Sequence, residues 1–383
     1  MTVSAVPFFR PSIGEAEVEA VAKAMWSGWL TTGPNAAAFE QEFSALFSDD
    51  IFSVAVNSAT SALHLGLEAL GVGPGDEVIV PTLTFTATAE VVRYLGATPV
   101  FVDIESDTLC IDLDATERAL TKKTKVIMPV HYAGRPCDLT NLSKIAKKNN
   151  LKILADAAHA LPASHNGKLI GDGLADINAF SFYANKTMTT GEGGMLTTRD
   201  PDLAKHVKMM RLHGIDRDVF NRFSDVKASW MYDVVAPGYK YNLTDMSAAM
   251  GRVQLARIDE FLDSRRRQVE RYDATLKDLP LILPPKAAKG DIHSNHLYII
   301  QLRDEAPLNR DELINELKSH NIGTSVHYRP LHQMTYWSSI ATGEFPQADA
   351  YFKRCISIPL FMAMSEEEQD YVIDVLKDTL QPR

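Results

Sequence analysis

Lys186 follows a short apolar run, Ala179 to Tyr183, and precedes Thr187, Thr189, Thr190 and the glycine-rich Gly191-Glu192-Gly193-Gly194. The run reads as a strand, which places the lysine in the loop at a strand's carboxyl end. An amine removed from water there has a lowered pKa and is nucleophilic toward a carbonyl. The glycines permit tight, left-handed backbone beside it. Taken alone, a loop lysine is better read as a solvated side chain. A second stretch narrows the chemistry. Leu151 to Asp156 reads as a buried strand ending in an acid, and His159 follows it. Asp156 and Lys186 are 30 residues apart (186 − 156), which leaves room for one strand and a connecting loop. An acid and a lysine at the carboxyl ends of neighbouring strands suit pyridoxal phosphate. The amine forms the Schiff base, and the acid keeps the pyridine nitrogen protonated so that the ring acts as an electron sink. Asp156 by itself also fits a structural strand-end acid.

The segment SFYANKTMTTGEGGM, residues 181–195, resembles the lysine motif of the DegT/StrS-type sugar-nucleotide aminotransferases, members of the aspartate aminotransferase (fold type I) group. Asp156-Ala-Ala-His159 resembles the acid motif of the same family. The resemblance extends along almost the whole chain. It implies an α/β fold: a large domain built on a seven-stranded, mostly parallel sheet flanked by helices, and a small C-terminal α+β domain. It also implies a homodimer with shared active sites. The boundary is expected near residue 255, within a single long helix over 247–276, giving units 1–255 and 256–383.

The elements that must position these groups follow in order. Helical periodicity covers 14–26 and 35–47, with the turn Ser27-Gly-Trp-Leu-Thr-Thr-Gly-Pro34 between them. This is a plain helix–helix turn, or, as in the family, a segment near the substrate that includes Thr31 and Thr32. Val54 to Ser61 leads into an apolar helical face at Leu63, Leu67 and Leu70. Ser58 to Ser61 therefore stand at a helix N-terminus, where free N–H groups favour an anion. Ordinary Ser/Thr capping explains them equally. Beside Asp156 and Lys186 the phosphate cup is preferred, with Ala59 and Thr60 at its centre. No Walker loop is present, since no Gly-Lys-Ser/Thr follows.

Strands are expected at 77–81, 98–103 and 126–131, and helices at 114–120, 139–148 and 202–212. Short apolar strands alternating with helices predict a mostly parallel sheet covered on both faces. Phe85 reads as core, or, by the resemblance, as the aromatic stacked on the pyridine ring. His131 reads as a structural histidine. Residues 214–237 form a long loop carrying Phe220, Phe223, Trp230 and Tyr232. Many family members carry Asn-Tyr-Arg just beyond it, where this chain has Lys240-Tyr241-Asn242. That pattern is similar to the branch making 4-amino-4-deoxy-arabinose and related 4-amino sugars. Arg265-Arg266-Arg267 reads as a solvated helix face. His327 and Tyr328 resemble the family's active-site rim.

Composition sets the class. The chain has 383 residues, 45% hydrophobic and 23% charged, typical of a globular protein of two domains. Lys plus Arg number 39 and Asp plus Glu 49, a net charge of −10, which argues against nucleic-acid or anionic-membrane binding. No signal peptide or membrane span is read. Cys110, Cys137 and Cys355 lack metal-ligand spacing, so no metal site is expected, and they read as reduced thiols of a cytoplasmic protein.

The expected function is amino transfer from L-glutamate to a nucleotide-linked keto-sugar, with pyridoxamine phosphate as the intermediate cofactor form and Lys186 as the catalytic residue. By the resemblance, Ala59, Thr60, Phe85, Asp156, His159, Ser181 and Asn242 bind the cofactor, Asn242 doing so in the neighbouring subunit. Thr31, Tyr183, Lys240 and His327 face the substrate. A C-3 acceptor, a free sugar or cyclitol, a sugar dehydratase and a non-catalytic regulator are the alternatives. The closest dehydratases replace the lysine with histidine.

Overall fold

A computed structural model of the chain describes residues 3–216 and 232–381. Phe220, Phe223 and Trp230 of the aromatic loop lie outside the described residues. The chain opens with two helices, α1 (Glu15–Ser27) and α2 (Pro34–Ser44). The start of α2 is held from a distance. The fully buried Asp245 carboxylate accepts from Asn35 N (3.1 Å) and Ala36 N (2.8 Å), satisfying N–H groups that have no intrahelical partner.

The strands follow as β1 (Phe52–Val56), β2 (Glu77–Pro81), β3 (Thr98–Val102), β4 (Thr124–Ile127) and β5 (Lys152–Asp156). A small hairpin, β6 (Ser164–His165) and β7 (Lys168–Leu169), precedes β8 (Ile177–Ser181) and β9 (Gly194–Thr198). The main sheet has seven strands in the order β1-β9-β8-β5-β4-β2-β3. Only β9 runs against its neighbours, so the other six share one direction. Helices α3 (Ala59–Ala69), α4 (Ala87–Tyr94), α5 (Leu113–Arg118), α6 (Leu139–Lys148) and α7 (Pro201–Met210) connect them. Successive strand residues alternate between two cores. Val54 and Val56 pack with Leu63, Leu67 and Leu154 on one face. Ala55 packs with Phe39, Phe43 and Phe180 on the other. Burial on both faces is why the strands read as continuous apolar runs.

Several boundaries differ from the sequence reading. The strand expected over 126–131 ends at Ile127, although Val130 still bridges to Asp156. The strand before Lys186 is shifted to 177–181, leaving Phe182 and Tyr183 in the loop. The long helix breaks into α8 (Asp245–Ala256) and α9 (Ile258–Leu276) at Arg257, whose φ of −104° and ψ of 9° leave the helical well. Arg257 is tied there by Glu17 and Glu260. The solvated reading of the arginine run fails for Arg265. It is 3% exposed, and its guanidinium donates to the carbonyls of Asn295, His296 and Leu360.

Beyond α9 a second sheet forms from β10 (Leu281–Ile282), β11 (Tyr298–Leu302) and β12 (Cys355–Ile358), all antiparallel. It is packed by α10 (Arg310–Ser319) and by the last helix, while α11 (Thr335–Ser338) and α12 (Pro346–Phe352) send Trp337, Ala348 and Tyr351 into the core of the large sheet; the last helix is α13 (Glu366–Leu380). The Ser365–Glu368 capping box opens α13, as its sequence predicts. Leu276, Ile300, Leu317, Ile356 and Leu376 form this unit's core. Val6 joins them, bridging to Ile322, so the N-terminal segment packs on the second unit. Among the described residues no helix is long and apolar enough to cross a membrane.

Candidate active site

The parallel pairing of β5 with β8 sets Asp156 beside Ala179. Both chains then leave the sheet at the same edge, and the loop after β8 brings Lys186 to a cavity of about 470 Å³. That cavity lies at the carboxyl ends of the strands, where open α/β sheets bind ligands. Lys186 is half-buried, open to the cavity and surrounded by protein elsewhere. Desolvation pushes its amine down to about 8, against a smaller opposing pull from the Asp156 charge. Asp156 is 6% exposed and moves the other way, its carboxyl raised by burial. It accepts from Thr88 Oγ1 (2.8 Å) and Ala158 N (3.1 Å), both of which favour the charged form. Burial thus pushes each member of the acid–lysine pair toward neutrality.

The turn after β1 supplies the second feature. Ser58 caps α3 by accepting from Ser61 N (3.1 Å), and Ala59 and Thr60 begin the helix beside the cavity. Their N–H groups lie in the first turn, where the helix dipole favours an anion. Gly194 makes this approach possible. A Cβ there would sit 2.5 Å from Ser58 C and 2.7 Å from Ala59 N, both backbone atoms. The loop glycines thus act through close approach at Gly194, and through left-handed backbone only at Gly191, with φ 78°. Gly194→Ala is expected to destabilise the protein by about 1–3 kcal/mol through overpacking and to weaken cofactor retention. Thermal melting and a cofactor titration check this, and an unchanged cofactor affinity counts against the cup.

Phe85 stands 57% exposed at the cavity, its ring 5.9 Å from that of Tyr328. It is not core. Ser181, Tyr183 and His327 also line the cavity. His327 is 8% exposed, stacked on Phe8 and bonded through Nδ1 to Ser357 Oγ (2.8 Å). Burial and the Lys186 charge hold its imidazole down at about 4. His159 lies in the wall, with Nε2 3.1 Å from Tyr328 Oη. His131 is fully buried and accepts from Cys137 N (3.0 Å), a structural role. All three cysteines are buried and free.

Three expected residues are not brought to this cavity within one chain. Asn242 donates to Thr31 Oγ1 (3.3 Å) and Thr32 Oγ1 (2.7 Å), and Lys240 is exposed. Asn242 and Thr32 line a separate cavity of about 550 Å³ beside α7. Conversely, sequence reasoning missed Thr88. It is one of four threonines between Thr82 and Thr88, and nothing in their spacing marks the one that faces Asp156. Asn185 and Tyr328 also line the cavity.

The donor set suits pyridoxal phosphate: an anion cup at α3, a buried acid for a pyridine nitrogen, a desolvated amine for an aldehyde and an exposed aromatic face. Among the described residues no cluster of His, Cys, Asp or Glu suits a metal ion.

Comparison with known proteins accords with this chemistry. The model of the DegT/DnrJ/EryC1/StrS aminotransferase family matches residues 11–377. The spore coat polysaccharide biosynthesis protein SpsC of Bacillus subtilis is 42% identical over 378 residues, covering 97% of this chain and 96% of its own. Among solved structures, Spr1654 of Streptococcus pneumoniae in its PMP form matches with a TM-score of 0.91 at 38% identity, covering 98% of each chain. Its PLP form matches at 0.90 and 37%, covering 98% of this chain and 100% of that one. PseC of Helicobacter pylori, an aminotransferase involved in the biosynthesis of pseudoaminic acid, matches at 0.88 and 28%, covering 98% and 99%.

Proposed function

The chain belongs to the DegT/DnrJ/EryC1/StrS aminotransferase family, whose members are pyridoxal phosphate-dependent sugar aminotransferases, and from this premise we propose that it moves an amino group from L-glutamate to a nucleotide-linked keto-sugar. The observation that carries the reading is the convergence on one cavity of Asp156 at the end of β5, Lys186 in the loop after the neighbouring β8, and the α3 N-terminus. Bound pyridoxal phosphate supplies the electron sink and carries the nitrogen between the two substrates.

The chain's own groups do the rest. Lys186 would hold the cofactor aldehyde and, as a free amine, would serve as the base that moves the donor's α-proton. Its lowered pKa leaves a useful fraction of free amine near neutral pH. Asp156 holds a proton on the pyridine nitrogen. Ala59, Thr60 and Ser181 receive the phosphate, and Phe85 covers a ring face. His159 donates to the ring's phenolic oxygen. Tyr183 and His327 border the space left for substrate. The second half-reaction reverses these proton movements at the sugar carbon.

The active unit is a homodimer. Asn242 and Lys240 serve the partner's cavity, in keeping with their absence from the lining of the Lys186 cavity in their own chain. The acceptor carbon is assigned to C-4 from the Lys240-Tyr241-Asn242 pattern, and the product is an aminosugar nucleotide for surface polysaccharide or glycoside.

The test is the visible absorption of the purified, cofactor-loaded protein. Glutamate is expected to remove the cofactor band, and one member of a panel of nucleotide 4-keto and 3-keto sugars to restore it. A band that ignores glutamate overturns the donor. Restoration only by free keto-sugars overturns the nucleotide, and restoration only by 3-keto sugars overturns the C-4 assignment.

A further inference from the structure

His159 faces the cavity with only one of its two ring nitrogens accounted for. Nε2 lies 3.1 Å from Tyr328 Oη, while Nδ1 is buried and has no hydrogen-bond partner among the described residues. The same is true of a histidine far along the chain. His296 is 3% exposed, and its Nδ1 is also buried without a partner among the described residues. The two rings lie side by side, with centroids 4.5 Å apart and planes inclined by 39°. Two partnerless nitrogens thus lie in adjacent rings, and a hydrogen bond between them would satisfy both.

The backbone around the pair is locked. His296 N donates to Ala133 O (3.1 Å), and its carbonyl accepts from Arg265 Nη1 (3.1 Å). Ser294 Oγ donates to the His159 carbonyl (2.5 Å). Gly134 packs so closely against Ser294, His159 and His296 that no Cβ fits there. His296 therefore cannot drift from His159 without disturbing both units of the fold.

We infer that His296 is a positioning residue: its Nδ1–H donates to His159 Nδ1 and so keeps the His159 proton on Nε2, the nitrogen that faces the cavity. The inference rests on the reading of the cavity as a pyridoxal phosphate site. The cofactor's phenolic oxygen is anionic and needs donors. With the proton on Nε2, His159 has one N–H to share between Tyr328 Oη and the cofactor, and the Tyr328 hydroxyl, no longer needed as donor to His159, is freed to donate as well. With the proton on Nδ1, Tyr328 spends its hydrogen on His159, and neither group donates to the cofactor. The nitrogen away from a ligand commonly sets the tautomer of the nitrogen toward it.

The charges around the pair favour two neutral rings, one donating and one accepting. Lys186 and His327 face His159. Arg265, a buried cation that donates to three carbonyls, acts on His296 together with Lys186 and His327. Burial, reinforced by these charges, holds both imidazoles well below the usual histidine range.

The experiment has two arms. In the first, nitrogen-15 NMR of the histidine side chains is recorded on the wild-type protein with and without pyridoxal phosphate. His159 is expected as the Nε2–H tautomer and His296 with a proton on Nδ1. A His159 proton on Nδ1 in both states overturns the proposal. In the second, the pH midpoint of the bound-cofactor band is compared among wild type, His296→Asn and His296→Phe. Asparagine retains an N–H near the Nδ1 position, whereas phenylalanine retains only the ring. His296→Asn is expected to titrate like wild type. His296→Phe is expected to shift the midpoint upward by about one pH unit, the order expected when an anionic oxygen loses one hydrogen-bond donor. Equal midpoints in wild type and His296→Phe, or equal shifts in both variants, overturn the proposal. If the protein takes up no pyridoxal phosphate, the functional reading fails, and the NMR arm still decides the tautomer.

Discussion

Lys186→Ala is expected to lose transamination by about 10⁴-fold or more, the upper end of what a positioned acid–base group contributes, because the same amine also anchors the cofactor. The variant is expected to fold and to bind pyridoxamine phosphate, which needs no covalent bond to the protein. Its stability follows from the sign of the lysine shift. The folded pKa, about 8, lies below the ordinary 10.5, so carrying the charge costs the native state stability at neutral pH. That cost is complete below about 8 and fades as pH rises toward 10.5. The apoprotein of Lys186→Ala should therefore melt no lower than wild type at pH 7, and the two should converge in alkali. Steady-state assay, differential scanning calorimetry and pyridoxamine phosphate titration check the three parts. Wild-type turnover in the variant removes Lys186 from the chemistry. The pKa also bears on reconstitution. Capture of pyridoxal phosphate by the wild-type apoprotein should accelerate as pH rises and level off above about 8, since the free amine is the nucleophile.

Asp156→Asn is expected to lower turnover by about 10²–10³, the magnitude of removing one preorganised electrostatic partner. A neutral amide does not hold a proton on the pyridine nitrogen, so the ring becomes a poorer electron sink. The local structure should survive. Thr88 Oγ1 lies 2.8 Å from Thr84 Oγ1 as well as from Asp156 Oδ2, and its hydroxyl can rotate to accept from an amide. Measuring the glutamate and keto-sugar half-reactions separately distinguishes this effect from misfolding. Both half-reactions should slow, because both develop negative charge on the same ring, while the melting temperature changes little. A variant within tenfold of wild type in both would leave Asp156 as a structural strand-end acid.

The sequence alone was enough to identify the chemistry, because the informative groups belong to local patterns. A strand that ends in Asp156, a strand that runs into Lys186 and a serine-capped helix at Ser58 each carry their own signal within a few residues. The alternation of apolar strands with helices was legible for the same reason, since burial on both faces of the sheet leaves a continuous apolar run. The strand limits near Lys186 and Val130 were less legible, because chain that has left the ladder stays buried in the same apolar composition.

Tertiary structure alone decided what surrounds the two groups. Thr88 reaches Asp156 from another helix, and its neighbours Thr82, Thr84 and Thr86 are chemically identical. Arg265 reads with Arg266 and Arg267 as one charged face, but carbonyls from two other segments draw it inward. The long helix breaks at Arg257, whose guanidinium is held by Glu17, 240 residues earlier (257 − 17). His296 lies 137 residues beyond His159 (296 − 159), and only the tertiary fold brings their rings together. Asn242 bridges to Val56 of β1, yet neither it nor Lys240 lines the Lys186 cavity of its own chain. In each case the deciding partner is a polar group brought from a distance into a buried site. Such a group must find its hydrogen bond wherever packing has placed one, and periodicity along the chain does not record where that is.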